Sequence, residues 1–220
     1  KRKKKKVKGK KKAERRKAHH SGFIINFAAY IQSIVMAFLY NIGIQAYHLA
    51  IQLAAPFNEK AALLRKGRKE VWKKAAGIQR GEGRLVWFHA ASLGEFEQGR
   101  PVIEALKAAE PATQILLTFF SPSGYEIRKN YTGADYILYL PGDTRRNAVR
   151  LIEKFRPDAA VFIKYEFWFH YLNELNKRNI PVYLISAIFR PNQPFFKSWG
   201  KLHRRMLGCF KELFVQDGQS

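Results

Sequence analysis

The strongest constraint on the fold is the alternation of short apolar runs with amphipathic segments that begins at Leu85. The apolar runs are "RLVWFHA", "QILLTFF", "DYILYLP", "DAAVFIK", "PVYLISA" and "ELFVQD". The intervening segments have helical polarity and lie at 97–109, 124–130, 144–155, 168–179 and 196–210. Strands that alternate with such helices predict βαβ units and a parallel sheet. Continuous apolar runs predict strands that are covered on both faces. We therefore expect an α/β, Rossmann-like domain over residues 84–220.

The basic residues are concentrated at the amino terminus. The formal net charge is +23, and 13 Lys or Arg residues against one Glu lie in the first 20 positions. Such a run repels itself and predicts a disordered tail over residues 1–22. A positive excess of this size favours an anionic partner, either a membrane surface or a nucleic acid.

Residues 23–57 contain no Asp, Glu, Lys or Arg. This length is sufficient for a membrane span, which takes about 20 mainly apolar residues. Four uncharged polar side chains nevertheless form one stripe at helical spacing: Asn41, Gln45, His48 and Gln52. We expect a membrane-anchoring or interfacial helix. Two alternatives stay open: a secretory signal peptide, and a natural start at Met36 that would make residues 1–35 an extension.

Residues 58–83 are expected to form a basic, mostly helical connector. Seven cations follow the apolar segment closely: Lys60, Arg65, Lys66, Arg68, Lys69, Lys73 and Lys74. They make either a solvated face or a contact with anionic lipid head groups. The neighbouring apolar helix favours the contact with lipid.

Parallel sheets bind ligands at the carboxyl ends of their strands. The loops at those ends are 90–96, 120–124, 140–144, 164–168 and 186–194. The first loop holds Ser92, Gly94 and Glu95. At a helix N-terminus the dipole favours the charged form of Glu95, which a general base needs. The alternative is a capping box, with Ser92 as N-cap and Glu95 three residues on.

The other loops carry residues for which a ligand role and a structural role both stay open. They are Ser121, Ser123, Gly124, Lys164, Glu166 and Arg190. The serines and the glycine offer hydroxyl and N–H groups to a phosphate or sugar hydroxyl, or simply begin a helix. The lysine and glutamate share one side of an extended chain, and either pair with each other or bind hydroxyl or phosphate groups. The arginine is a candidate anion contact or a surface residue.

Five of these segments resemble a known family in their order and spacing. They are "HAASLGE", "TFFSPSG", "YLPGD", "KYEFW" and "IPVYLISAIFR". Together they resemble the Kdo transferases, the 3-deoxy-D-manno-octulosonic acid transferases of lipopolysaccharide assembly, over residues 37–220. Two positions depart from the family's "E-x-E-x-W-P" pattern, because Lys164 replaces an acidic residue and Phe169 replaces the proline. Glu166 and Trp168 match it.

The resemblance implies an inverting GT-B glycosyltransferase with two Rossmann-like domains, of which this chain is the first. It implies that this domain binds a lipid A precursor through the loop residues named above. It also implies that a missing C-terminal domain binds the donor CMP-Kdo, so that the chain alone is inactive. Glu95, in the "S-x-G-E" motif, would be the general base. No metal or cofactor is implied, and the expected location is the cytoplasmic face of the inner membrane.

Three other functions stay open beside this one. The basic arm is compatible with a nucleic-acid-binding protein, but no nucleic-acid motif follows it, and we expect no nucleic acid as a partner. A similar fold serves other GT-B glycosyltransferases and nucleotide-sugar enzymes such as epimerases, and fold alone does not fix function. The third alternative is a non-catalytic membrane-anchor module.

Overall fold

The structure is a computed structural model that describes residues 35–218. The expected tail at 1–22 and the first part of the expected membrane helix, 23–34, lie outside the described residues. The chain divides into two compact units, Lys1–Gln45 and Ala46–Ser220. Within the first unit, the described residues 35–45 are helical.

The first described helix, α1, ends at residue 54. Its apolar side chains Leu49 and Leu53 are exposed, and Phe57 in the following turn is 91% exposed. Within residues 35–218, no helix is both long enough and apolar enough to cross a bilayer. The apolar side chains at the end of α1 are therefore left without cover by the described part of the second unit.

A six-stranded sheet forms the centre of the second unit. Its strands are β1 Leu85–Ala90, β2 Gln114–Phe119, β3 Tyr136–Tyr139, β4 Ala159–Ile163, β5 Val182–Ala187 and β6 Glu212–Val215. The order is β3-β2-β1-β4-β5-β6 and every neighbouring pair is parallel. The predicted α/β fold with a parallel, Rossmann-like sheet is confirmed.

Helices connect the strands and cover the sheet. They are α2 Glu59–Gly77, α3 Leu93–Ala109, α4 Pro122–Arg128, α5 Arg145–Phe155, α6 Phe169–Lys177 and α7 Lys201–Leu207, with a 3₁₀ turn at Pro194–Phe196. Of the helix expected over 196–210, α7 forms only Lys201–Leu207, and the 3₁₀ turn at Pro194–Phe196 precedes it. Gly200 lies so close to the carbonyl of Pro194 that a Cβ would overlap it. The chain therefore bends at this glycine before α7 begins.

Strand β1 is buried along its whole length, as its continuous apolar run predicts. Phe88 packs in one cluster with Phe96 of α3. Trp87 lies edge-on to Phe162 and Tyr171, with ring centroids 5.2 and 5.5 Å away. Burying each such side chain contributes roughly 1.5–3 kcal/mol, so both layers of helices are held against this central strand.

Helix α2 is part of the compact unit and not a free connector. Its side chains Leu64, Val71 and Ala75 are buried. At Gly67 an added Cβ would overlap the ring of Tyr139 on β3. The absence of a side chain at this position therefore lets the helix approach the sheet. The unit begins before residue 84, where the sequence placed the start of the domain.

We expect Gly67→Ala to destabilise the fold. The methyl group meets the Tyr139 ring, which is itself buried and lies 4.0 Å from the ring of Tyr125 between centroids. Overpacking of this kind costs about 1–3 kcal/mol, against a gain of up to about 1 kcal/mol from the helix propensity of alanine. Urea unfolding should therefore show a net loss of stability.

Gly77→Ala in the same helix is the matched control, because nothing lies within 4 Å of its added Cβ. It should be neutral or slightly stabilising. Equal stability changes in the two variants would show that α2 does not pack as closely on β3 as described.

Candidate active site

The loops that carry the candidate residues meet at one edge of the sheet. Strand β1 lies between β2 and β4, so the segments that follow these three strands leave the sheet side by side. The N–H of Ser121 donates to the carbonyl of Ala91 over 2.7 Å. This bond joins the loop after β2 to the loop that contains the start of α3.

Glu95 lies in the first turn of α3 and is half-buried. Its Oε2 accepts a hydrogen bond from the N–H of Ala91 over 2.6 Å. Ser92 is the N-cap residue, but its side chain makes no capping hydrogen bond. Of the two hydrogen bonds of the expected capping box, the one accepted by the Ser92 side chain is therefore absent. The Glu95 carboxylate does accept a main-chain N–H, but from Ala91, the residue before the N-cap.

The pKa of Glu95 is raised from its ordinary value. Burial is the largest cause, and the negative charge of Glu166 adds to it, while the N–H groups of Ala91 and Ser92 and the ring of His89 act in the opposite direction. The N–H groups at the helix start favour the charged form, but desolvation and a second carboxylate outweigh them. A raised pKa moves the carboxyl group towards the range in which a general base works best.

Glu166 belongs to a buried hydrogen-bonded group. Its Oε2 is 3.0 Å from Nε2 of His89, and it accepts the indole N–H of Trp168 over 2.7 Å. His89 is fully buried, and its Nδ1 lies 2.9 Å from Oγ1 of Thr118 on β2. The same indole N–H also lies 3.0 Å from Nε2 of His89. This group fixes the position of Glu166 beside Glu95.

Lys164 and Glu166 do not pair with each other. In the described chain Glu166 contacts Nε2 of His89, and Lys164 stands in the left-handed region with φ of 70°. The backbone after β4 is therefore not extended at Lys164, and of the two alternatives the pair with Glu166 is not formed. Of the two residues, Glu166 is the one that the structure brings to Glu95.

Ser121, Ser123 and Gly124 form the start of α4. The Oγ of Ser121 accepts the N–H of Ser123 over 3.3 Å, and the two hydroxyl oxygens are 3.0 Å apart. An added Cβ at Gly124 would overlap the ring of Phe119, so packing explains this glycine. At Gly94, by contrast, nothing lies within 4 Å of an added Cβ. Of the two glycines, Gly94 is the one with open space beside it.

Arg190, in the loop after β5, is engaged by a carboxylate at the end of β6. Its Nη2 is 2.7 Å from Oδ2 of Asp217, which follows β6. The hydrogen bond with Asp217 raises the pKa of this exposed guanidinium. The structure therefore joins Arg190 to the end of β6.

His89 and Thr118 are the residues at this edge that the sequence did not assign to the site. His89 opens the "HAASLGE" segment, so its place at the end of β1 was visible, but its partner Glu166 lies 77 positions away.

Over residues 35–218, no three His, Cys, Asp or Glu side chains come together as a metal ion would require.

We expect Glu95→Gln to make the folded chain more stable at pH 7. The folded pKa of Glu95 lies above its unfolded value, so the folded state favours the protonated form. This contribution to stability is fully present below the unfolded pKa and is lost as pH rises through the folded pKa. Glutamine cannot ionise, so the gain over wild type should be largest near neutral pH and shrink towards about pH 4, the ordinary range of a glutamate.

Thermal unfolding at a series of pH values checks this expectation. Glu104→Gln removes an exposed carboxylate from the same helix and should give no such gain. A Glu95→Gln chain that is less stable than wild type at pH 7 would mean that the hydrogen bond from Ala91 outweighs burial and repulsion.

Two solved structures show partial similarity to the chain. One is a UDP-N-acetylglucosamine 2-epimerase, with 18% identity and a TM-score of 0.47 over 63% of this chain and 43% of that one. The other is MurG of Acinetobacter baumannii, with 11% identity and a TM-score of 0.45 over 60% and 41%.

Curated relatives give a more specific result. The 3-deoxy-D-manno-octulosonic acid transferase of Chlamydia trachomatis serovar D is 30% identical over 122 residues, which is 53% of this chain and 28% of the relative. The transferase of Aquifex aeolicus is 36% identical over 84 residues, 38% of this chain and 23% of the relative. That of Haemophilus influenzae is 29% identical over 103 residues, 46% and 24%. The chain thus spans less than a third of the length of these three proteins.

A family model described as 3-Deoxy-D-manno-octulosonic-acid transferase (kdotransferase) matches residues 59–220. This match includes α2, which packs on the sheet, and every strand of the second unit. It also includes Glu95, Glu166 and His89. The chain belongs to the 3-deoxy-D-manno-octulosonic acid transferase family.

Proposed function

We propose that the protein to which this chain belongs transfers Kdo from CMP-Kdo to a lipid A precursor, with Glu95 as the general base. Membership of the family supports the transfer of Kdo in lipopolysaccharide biosynthesis. The donor, the acceptor and the role of Glu95 are part of the proposal. The reaction inverts the configuration at the anomeric carbon, and neither a metal nor a cofactor takes part in it.

The observation that carries the proposal is the placement of Glu95. It lies at the carboxyl edge of a parallel sheet, where ligands of such sheets bind, and Gly94 beside it is exposed. One carboxylate oxygen is held by the N–H of Ala91, and burial and Glu166 raise the pKa. A fixed carboxylate with a raised pKa at a ligand-binding edge suits proton abstraction from a sugar hydroxyl.

The proposed step moves one proton and exchanges one bond. Glu95 accepts the proton of an acceptor hydroxyl while that oxygen attacks the anomeric carbon of Kdo. The bond from this carbon to the phosphate oxygen breaks, and CMP leaves with the electron pair. The group of His89, Glu166 and Trp168 positions the second carboxylate, whose negative charge strengthens the basicity of Glu95.

The donor is bound by the part of the protein beyond this chain, in the two-domain GT-B arrangement. The chain spans less than a third of the compared relatives, and we propose that alone it does not transfer Kdo. Ser92, Gly94, Ser121, Ser123 and the other predicted loop residues remain candidates for acceptor contacts.

The working location in this proposal is the cytoplasmic face of the inner membrane. The described chain exposes Leu49, Leu53 and Phe57 next to the basic helix α2. Apolar side chains beside lysines and arginines suit an anionic membrane surface. A membrane-bound acceptor would thereby be brought to the sheet edge, and no nucleic acid is needed to account for the positive charge.

Replacement of the base gives the direct test. In the full-length protein supplied with CMP-Kdo and lipid A precursor in detergent, we expect Glu95→Gln to lower the transfer rate by about a hundredfold or more. Glu104→Gln, on the same helix, should transfer at the wild-type rate.

The other results of this experiment have distinct meanings. Undiminished transfer by Glu95→Gln would leave Glu95 with its capping role at the start of α3. A wild-type protein that does not use CMP-Kdo, but uses another nucleotide sugar, would assign it to a different glycosyl transfer.

Replacement of the exposed apolar side chains tests the membrane surface. We expect Leu53→Ser combined with Phe57→Ser to weaken binding to phosphatidylglycerol vesicles at least tenfold, since burying one such side chain is worth roughly 1.5–3 kcal/mol. Phe196→Ser, which alters an exposed phenylalanine in the 3₁₀ turn, is the control for co-sedimentation. Unchanged binding by the double variant would refute this membrane surface.

A further inference from the structure

A basic cavity lies beside the sheet edge and has no role in the site described above. It has a volume of about 1080 Å³ and is bounded by α2, the last turns of α1 and the loop after β3. Five cations and one carboxylate of α2 line it: Arg65, Lys66, Arg68, Lys69, Lys73 and Glu70. The charges of these cations exceed that of the carboxylate, so the cavity attracts an anion of high charge.

Arg68 is less exposed than the other four cations of the cavity, and it has a hydrogen bond with the side chain of Tyr47. Its guanidinium carbon lies 4.7 Å from the ring centre of Phe120 and 5.6 Å from that of Tyr47. Its Nε and Nη1 are buried and have no hydrogen-bond partner in the described part of the chain.

The wall opposite α2 is held in place by the loop after β3. Gly142 lies so close to the ring of His48 that a Cβ would overlap it. The side chain of Asn147 donates to the carbonyl of Gly142 over 2.8 Å. Asp143 accepts the N–H groups of His170 and Tyr171 over 3.1 and 3.2 Å. The cavity therefore has a preformed wall, as ligand sites usually have.

Aromatic rings connect the cavity with the candidate active site. Arg68 lies over Phe120, and Phe120 stacks on Trp168 with 4.7 Å between ring centroids. Trp168 in turn donates to Glu166. Two rings thus stand between the cations of the cavity and the carboxylates at the sheet edge. One ligand that carries both an anionic group and a hydroxyl group could reach both places.

We propose that this cavity binds a phosphate monoester. In the proposed function, on which this assignment rests, that group is a phosphate of the glycolipid acceptor. A phosphate monoester carries a charge of about −1.5 to −2 and three strong acceptor oxygens. It therefore matches a cavity lined by five cations better than a singly charged phosphodiester does. The phosphate would hold the acceptor while its hydroxyl lies at Glu95.

Direct binding of inorganic phosphate tests the cavity without reference to transfer. In calorimetric titrations of the full-length protein, we expect Lys69→Gln combined with Lys73→Gln to weaken phosphate binding at least tenfold through loss of charge-assisted contacts. Both lysines are exposed at the rim, so the variant should keep its fold. Lys177→Gln removes an exposed cation on α6 and should bind phosphate as the wild type does. Arg68→Met should abolish binding, with circular dichroism to confirm that it folds.

Kinetics with two acceptors test the assignment to the glycolipid. With the bisphosphorylated acceptor, the rim variant should raise KM about tenfold and leave kcat unchanged, as loss of uniform binding does. With an acceptor whose phosphates have been removed, wild type and variant should have the same KM.

The outcomes separate this proposal from the proposed function. Transfer that depends on Glu95, together with phosphate binding and KM unchanged in the rim and Arg68 variants, would overturn the cavity assignment alone. Phosphate binding that the variants lose, in a protein without Kdo transfer, would support the phosphate site while the proposed function fails. A rise in KM of the same size with the acceptor that lacks phosphates would overturn the assignment to the phosphate of the acceptor.

Discussion

The parallel pairing of β1 between β2 and β4 is the constraint on which the rest of the structure depends. Because all three strands run the same way, the residues that follow them emerge at one edge. Burial of β1 on both faces prevents the strand from slipping, since a shift by one residue would exchange Trp87 and Phe88 between the two layers. The positions of Glu95 and Glu166 are therefore consequences of sheet register, and each loop only adds local detail.

Charge is divided sharply around this edge. Two carboxylates, Glu95 and Glu166, lie close enough to influence each other, whereas the cations of α2 line a cavity behind the rings of Phe120 and Trp168. If the cations stood directly beside Glu95, they would lower its pKa and weaken it as a base. The rings of Phe120 and Trp168 therefore separate the cations of α2 from the carboxylates at the sheet edge.

Features set by neighbouring residues were predictable from the sequence, and features set by distant ones were not. The apolar runs gave the strands, and the small residues before Glu95 placed it at a helix start. The partners of Glu166 and Arg190 depend on which strands lie side by side, so local spacing left open whether Lys164 pairs with Glu166. The packing of α2 was likewise hidden, because its many lysines and arginines mask a narrow buried stripe that includes Leu64 and Val71.

The carboxylate of Glu95 is positioned by a main-chain group, the N–H of Ala91. Every residue except proline carries that donor, so the side chain at position 91 has no part in the restraint. If the residue at position 91 varies among related sequences, the main-chain N–H still holds the carboxylate of Glu95 in place. A comparison of side chains alone therefore does not reveal this restraint. Proline is the one residue type whose appearance at position 91 would signal that a relative holds its glutamate in some other way.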